Sequence, residues 1–374
     1  MKIHNRNEYS KLKENQEIEI SGRISKRRRY KDFTIFELSL YDGNVMVLID
    51  NENKGKKMKM GTIVTAKGYT YLSKEQKLGL KCYDFGILNE PVSFKEEDGN
   101  LCSILKERFE LETTARKYFL EKGLYEVDSK ILFNHKGSPD TPHFETKTWE
   151  NEPRYLRTTL ELLLRRYVYR TQIPVFEIGH VFRDLVVQKN SLNEYAVLEA
   201  QIPYENIDYG LELLLDVLYR IEDKFEAEGK LLPKRNLDIR NLIKIDKTST
   251  SSEIEREYKL LRDSQKVPTL LSYIPSDITP LSMRLPGGYA KKIKYVSDIG
   301  EICEVYEPET NYNRIRLMFE EQNTFMKERG IEGEMDMEFL KDCERGIVPT
   351  LGIYLGLDRL LMLLNEKDIR EFYI

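Results

Sequence analysis

Between residues 17 and 90, apolar and polar positions alternate in short runs: EIEISGRI, FTIFELSLYDG, VMVLID, GTIVTAKGYTYL and KLGLKCYDFGIL. Such runs, separated by turns rich in Gly, Asn and Lys, predict five half-buried strands. From Leu101 the period lengthens. A helical pattern runs to about Lys122 and stops at Gly123, and LYEVDSKIL then reads as a strand. After the loop KGSPDTPHFETKTWENEP come a helix through LELLLRRYVYR, a strand pair VFEIGHVFRD and YAVLEAQIPY, and a long helix from about Ile207 to Ala227. Residues 228–266 are charged and weakly patterned. Strands resume at KKIKYVSD and GEICEVY, a helix follows from about Asn313 to Lys327, and TLGIYLGLDRLLMLL closes the pattern as a strand entering an apolar helix. Antiparallel strands flanked by long helices predict an α+β domain. The polar, turn-rich PVSFKEEDGN divides the chain into an all-β domain (1–90), a linker (91–100) and an α+β domain (101–374). No internal repeat is visible.

Five short strands opening on a basic one suggest an OB-fold barrel. Arg23, Lys26, Arg27, Arg28 and Arg29 lie close to Tyr30, Phe33 and Phe36. Binding single-stranded nucleic acid takes this mixture, with cations for phosphates and rings for bases. Alternation sends Phe33 and Phe36 to opposite faces, so only one of them serves as a stacking platform. The alternative is a plain barrel core under a solvated basic strand. Charge distribution bears on the choice. Residues 1–95 carry 19 Lys and Arg against 12 Asp and Glu, a net of +7, while the whole chain of 374 residues carries −4. A basic small domain beside an acidic large one suits a polyanion held partly by the small domain.

Other classes fall away. There is no apolar run of the roughly 18 residues a membrane span needs. The beginning MKIHNRNEYSKLKENQ lacks the apolar core of a signal peptide. Cys82, Cys102, Cys303 and Cys343 are scattered without metal spacing, as are the four histidines. Free thiols in a reducing cytoplasm are the simplest expectation.

The terminal stretch is the most informative. Gly352 and Gly356 allow a backbone to approach a bulky ligand, and Arg359, one turn into a helix, offers a guanidinium suited to a polyphosphate. A buried strand–helix corner with a structural Asp358–Arg359 pair is the alternative.

FEIGHVFRD followed by NEYAVLEAQIPY resembles the second motif of class II aminoacyl-tRNA synthetases. GLYEVDSKIL resembles a weak first motif, and GIYLGLDRLLML the third. With an OB-like domain in front, the layout is similar to the subclass of lysyl-, aspartyl- and asparaginyl-tRNA synthetases. YLRTTLELLLRR resembles the lysyl member, and PTLLSYIPSDITPLSMRL and IGEI resemble both lysyl and asparaginyl patterns. The resemblance implies an antiparallel-sheet catalytic core, ATP and Mg2+ as cofactors, an amino acid and tRNA as partners, and a homodimer. It places Arg183 between the amino-acid carboxylate and the α-phosphate, and Arg359 at the γ-phosphate. The Glu194–Tyr195 pair falls at the nucleotide, with Tyr195 stacking on adenine and Gly356 beside it. Glu301 and Glu309 fall at magnesium positions, where hard carboxylate oxygens suit the ion. Glu161 matches a glutamate that receives the substrate α-ammonium, while Glu199 and Asn311 belong to the same amino-acid pocket. Two anions meet in this chemistry, so cations must stand where charge builds up.

The departures are specific. The FRxE pattern reads FRDL, so Leu185 replaces a glutamate, and the adjacent Asp184 points the other way on a strand. Lys189 is the loop's only cation. Lys130 stands at the usual interface proline. Arg314 aligns with a glutamate that would bind the lysine ε-ammonium, and a buried like-charge contact there costs several kcal/mol. Pro308 falls where the aspartyl and asparaginyl patterns place an arginine. Three functions therefore remain open: a tRNA-charging ligase, a paralogue passing its activated amino acid to another acceptor, and a non-catalytic protein that binds tRNA or a partner.

Overall fold

The computed structural model describes residues 1–50, 58–73, 75–93, 101–136, 141–187, 190–243, 245, 249–279, 281–328 and 336–373. The chain forms two compact units, Met1–Lys106 and Glu107–Ile374. Their boundary falls within the first turns of helix α1 (Leu101–Glu121). Of the expected linker, residues 94–100 lie outside the described residues.

The first unit is built on β1 (Glu17–Arg29), β2 (Phe33–Leu40), β3 (Gly43–Asp50), β4 (Ile63–Leu72) and β5 (Leu78–Asn89). Neighbours run β1-β2-β3-β5-β4, and β4 pairs back onto β1, closing the sheet into a barrel. β3 and β5 pair in parallel, as does the short strand Lys2–Ile3 with β1. Alternation decides what fills it: Phe36 and Leu38 of β2, and Val45, Val47 and Ile49 of β3, are buried together with Ile18, Ile20 and Ile24 of β1.

The second unit carries an eight-stranded sheet. Its members are β6 (Tyr125–Glu126), β7 (Val175–Phe182), β8 (Glu194–Pro203), β9 (Arg235–Asp238), β10 (Thr269–Ser272), β11 (Lys292–Ser297), β12 (Gly300–Tyr306) and β13 (Thr350–Gly356). The order is β9-β10-β11-β12-β13-β8-β7-β6. The six central strands are antiparallel, and each edge strand pairs in parallel. The helices are α1, α2 (Glu161–Thr171), α3 (Ile207–Lys224), α4 (Ser251–Asp263), α5 (Tyr312–Glu328), α6 (Met337–Glu344) and α7 (Leu357–Asn365).

Three expectations change. LYEVDSKIL is not one strand. Only Tyr125–Glu126 joins the large sheet, and Leu132–Phe133 belongs to a separate small one. Between them Ser129 turns inward to hydrogen-bond Glu177 at 2.5 Å, which takes the backbone off the ladder. The weakly patterned 228–266 contains β9 and α4. Helix α4 starts at a capping box, with Thr250 and Glu253 satisfying each other's backbone amides. Helix α6 was not anticipated; its N-cap Asp336 accepts from the Phe339 amide.

Candidate active site

The register of the sheet creates a polar face. Glu177, Glu199, Tyr354, Glu304 and Lys294 oppose one another in turn across β7, β8, β13, β12 and β11. Two residues along, Gln201, Gly352, Tyr306 and Lys292 form a second such row. A period of two puts both rows on one side of the sheet. Gly352 has a packing reason to be glycine, because a Cβ there would run into the Tyr306 ring. A Cβ on Gly356 would sit 3.0 Å from the Ile302 carbonyl oxygen. Gly352 therefore answers to the neighbouring strand β12, whereas Gly356 both packs on β12 and lines the cavity.

Above this face lies a cavity of about 410 Å³ whose walls include Glu161, Arg183, Tyr195, Glu199, Lys292, Lys294, Glu301, Glu304, Tyr306 and Arg359. Arg183 follows the last residue of β7. Its Nε donates to the Thr158 carbonyl at 3.3 Å, and its guanidinium stands 5.6 Å from the centre of the Tyr195 ring. Asn193 holds the mouth of the loop by donating to the carbonyls of Arg183 and Leu185. Arg359, in the first turn of α7, donates to the Glu301 carbonyl from the opposite side. Burial pushes the Tyr195 and Tyr354 phenols up, and both arginines oppose that shift on both rings. The two guanidiniums thus converge on one cavity. Asp358 does not pair with Arg359. It accepts from Arg108 at 2.6 Å, from the Ala196 amide at 2.8 Å and from Tyr373 at 2.6 Å, which anchors α7 and leaves Arg359 to the cavity.

Glu161 opens α2 and pairs with the fully buried Arg165 at 3.1 Å. Glu199 is buried, with Tyr306 donating to it at 2.7 Å. Burial first, and then the Glu161 carboxylate, push the Glu199 pKa up to about 8 against the help of the Tyr306 hydroxyl. Burial therefore favours the protonated form of Glu199. A cation placed against it would take the proton's place.

Lys292 and Lys294 give the remaining wall its character, and sequence reading did not single them out. Lys294 Nζ lies 2.7 Å from Glu301 and 3.4 Å from Glu304, and Lys292 pairs with Glu304. A bulge sets this up: Val296 opposes Glu301 whereas Tyr295 opposes Cys303, so Ile302 is the extra residue and Glu301 turns to the face of Glu304. Burial alone would raise the Glu301 pKa, but Lys294, then Arg262 and Tyr258, bring it down to about 2. The signal was present in the alternation of KIK and EVY, which places Lys292, Lys294, Glu304 and Tyr306 on one face.

The magnesium positions implied by resemblance do not fit as they stand. One Glu301 oxygen accepts from Tyr258 at 2.9 Å and from Arg262 at 3.5 Å, and the other is held by Lys294. Glu309 is buried away from the cavity lining. It accepts from the amides of Thr310 and Asn311 at 3.0 Å and lies 3.4 Å from Arg314. Among the described residues no group of three or more His, Cys, Asp or Glu converges as a metal centre.

Three further expectations need correction. Asn311 and Arg314 sit at the start of α5, both exposed, with the Asn311 side chain accepting from the Arg314 amide at 3.1 Å. Neither lines the cavity, and the Arg314 guanidinium turns to Glu309. Glu194 is exposed, opposite Phe182, and also outside the lining. Leu185 does line the cavity, half exposed, while Lys189 lies outside the described residues.

In the barrel, Phe36 is fully buried in the core and unavailable for stacking. Phe33 faces the other way and stacks on Tyr30 with ring centres 4.7 Å apart. Arg27 opposes Phe36 and Arg29 opposes Thr34, while Arg28 opposes Ile35, so the arginine run is divided between two faces. Arg23 and Arg27 donate to the carbonyls of Gly61 and Met58, whereas Arg28 and Arg29 are exposed.

Comparison with known proteins gives the family. Residues 95–374 match the family model described as tRNA synthetases class II (D, K and N). The chain is similar to a lysine–tRNA ligase of Buchnera aphidicola from Acyrthosiphon pisum, 24% identical over 98% of this chain and 87% of the relative. It is also similar to lysine–tRNA ligases of Thermosipho melanesiensis (22%; 96% and 86%) and Saccharolobus solfataricus (25%; 83% and 76%).

Proposed function

The chain belongs to the class II tRNA synthetases (D, K and N), and from that membership as an aminoacyl-tRNA ligase we propose that it activates an amino acid with ATP and passes it to tRNA. The amino-acid carboxylate attacks the α-phosphorus of ATP. A carboxyl–phosphate anhydride forms and the bond to pyrophosphate breaks. A tRNA ribose hydroxyl then attacks the acyl carbon, and AMP leaves. The observation that carries this reading is the convergence of Arg183 and Arg359 on one cavity around Tyr195 and Tyr354. Arg183 meets the carboxylate and the α-phosphate, Arg359 the outer phosphates, and Tyr195 the adenine through the ring face that Arg183 leaves open. Class II synthetases generally take ATP with magnesium; we derive no step through the ion, because Glu301 and Glu309 are engaged elsewhere.

The substrate ammonium lies toward Glu161 and Glu199, the carboxyl groups of the far wall. Since the similar proteins are lysine–tRNA ligases, lysine is the first amino acid to test, its second ammonium displacing the proton of Glu199. The barrel, read as an OB-fold, takes the nucleic acid through Tyr30, Phe33, Arg28 and Arg29. We place the protein in the cytoplasm as a homodimer, paired through the exposed apolar Leu132 and Tyr167 near Lys130. Leu185, at the position of an expected acid, favours a second reading in which the acyl group goes to an acceptor other than tRNA.

Amino-acid-dependent ATP–pyrophosphate exchange over a panel of amino acids, followed by charging of total tRNA, decides among these. Exchange and charging with one amino acid support the first reading. Exchange without charging moves the conclusion to the second. No exchange with any amino acid rejects both.

A further inference from the structure

We propose that Lys294 is a resident cation of the nucleotide wall, occupying with its ammonium the seat between Glu301 and Glu304 that a divalent ion would otherwise take. The proposal rests on the reading of this cavity as an ATP site. The ammonium lies 2.7 Å from a Glu301 oxygen and 3.4 Å from a Glu304 oxygen, and the Lys294 side chain is only 9% exposed. Both carboxylates border the cavity that holds Arg183 and Arg359. Left bare, they would repel a triphosphate. Paired, they do not, and the tether removes the entropic cost of recruiting an ion.

The surroundings hold the ammonium in place. Tyr258 of α4 lies with its ring centre 5.5 Å from Nζ and donates its hydroxyl to Glu301, Arg262 of the same helix reaches Glu301 at 3.5 Å, and Lys292 takes the other Glu304 oxygen. Each Glu301 oxygen therefore already has a donor. A divalent ion needs deprotonated, outward-facing oxygens at about 2.0–2.6 Å, and here it would have to expel a lysine first. In this seat the fixed ammonium supplies the neutralising charge, and the strand alternation of KIK beside the bulge at Ile302 puts it there.

Mn2+ titration of the nucleotide-free protein, read by electron paramagnetic resonance, tests the seat directly. We expect no Mn2+ site in the wild type whose affinity depends on Glu301. Lys294→Met should gain one site, about tenfold or more tighter than any in the wild type, and Lys294→Met/Glu301→Gln should lose it again by a similar factor. Lys294→Arg, which keeps the charge, should gain none. A Glu301-dependent Mn2+ site in the wild type overturns the proposal whether or not the variants fold. So does a folded Lys294→Met that gains no site. A parallel measurement of ATP binding by equilibrium dialysis, in EDTA and in Mg2+, separates the two readings. Wild-type affinity should fall less than about threefold in EDTA, on a scale where tenfold is 1.4 kcal/mol, and a larger fall rejects the resident cation. ATP that binds in neither condition rejects the adenylate reading, while the Mn2+ result still decides the seat.

Discussion

Arg183 and Arg359 lie 176 positions apart in the sequence, and each is held in place by its neighbours. Asp358 ties α7 to Arg108, Tyr373 and the Ala196 amide, so that Arg359 is left for the cavity. Arg183 is steadied by the Thr158 carbonyl and the Tyr195 ring. Removing one charge-assisted contact made in a transition state costs about 3 kcal/mol. Arg183→Ala should accordingly lower pyrophosphate exchange by a hundredfold or more, about the rate equivalent of that loss, and a variant that keeps near-normal exchange would relocate the site. Glu199 makes a separate prediction. Its pKa is raised from 4.5 to about 8 by burial and by Glu161, so the folded state holds a proton that the unfolded state releases. That contribution to stability is complete below about pH 4.5 and is lost as pH rises toward 8. Thermal melts of Glu199→Gln and wild type from pH 5 to 8 should show the variant gaining on the wild type as pH rises. A difference that stays flat with pH would mean Glu199 is ionised throughout. Arg183, Arg359, Glu161 and Glu199 were legible in the sequence because motif spacing marked them. Lys294 and Glu304 were not, because no motif carries them and their meaning depends on what stands across the next strand.

Elements follow the same rule. Strand β2 was legible as an alternating run, and the alternation alone divided its two phenylalanines between faces. Which face was the core could not be read from the run, since Phe33 and Phe36 are the same residue type. Closure of the barrel buries Phe36 and leaves Phe33 stacked on Tyr30. The two positions should therefore behave oppositely. Phe36→Ala should destabilise the protein by about 3–5 kcal/mol, the cost of deleting a core ring. Phe33→Ala should melt near the wild type and weaken tRNA binding by about 1–3 kcal/mol per lost stack. Filter binding and melting curves on both variants check this, and equal effects of the two on tRNA affinity would defeat the assignment. Helix α4 and strand β9 escaped sequence reading because 228–266 lacks a strong apolar period. The Thr250–Glu253 capping box was the available signal. Helix α4 matters to the site, since it delivers Tyr258 and Arg262 to Glu301.

At the scale of the molecule, two units of unlike charge divide the work. The basic barrel suits a polyanion, and the eight-stranded sheet carries the arginine-lined cavity on one face. Among the described residues no helix is long and apolar enough to cross a membrane. The exposed Leu132 and Tyr167 line one shallow pocket with Lys130, and the pairing proposed above would cover it. Light scattering coupled to size exclusion should give a dimer for the wild type and a monomer for Leu132→Asp/Tyr167→Asp. A wild-type monomer at micromolar concentration would reject the pairing.

Local pattern and motif spacing were enough to reveal an alternating β-rich stretch ahead of an α+β region, the family, and two arginines that the fold brings to one cavity. Each of these depends on residues close together in the chain or on a fixed order along it. The wall formed by Lys292, Lys294 and Glu304 was decided only by tertiary structure. Register across β8, β13, β12 and β11 brings Glu199, Tyr354, Glu304 and Lys294 into one row, and a single bulge turns Glu301 to join them. The same packing carries Arg314 out to the surface and fills Glu301 with a lysine. A side chain's charge is written in the sequence, but whether it meets a substrate, a partner or water depends on the face it is given, and that is a property of the whole sheet.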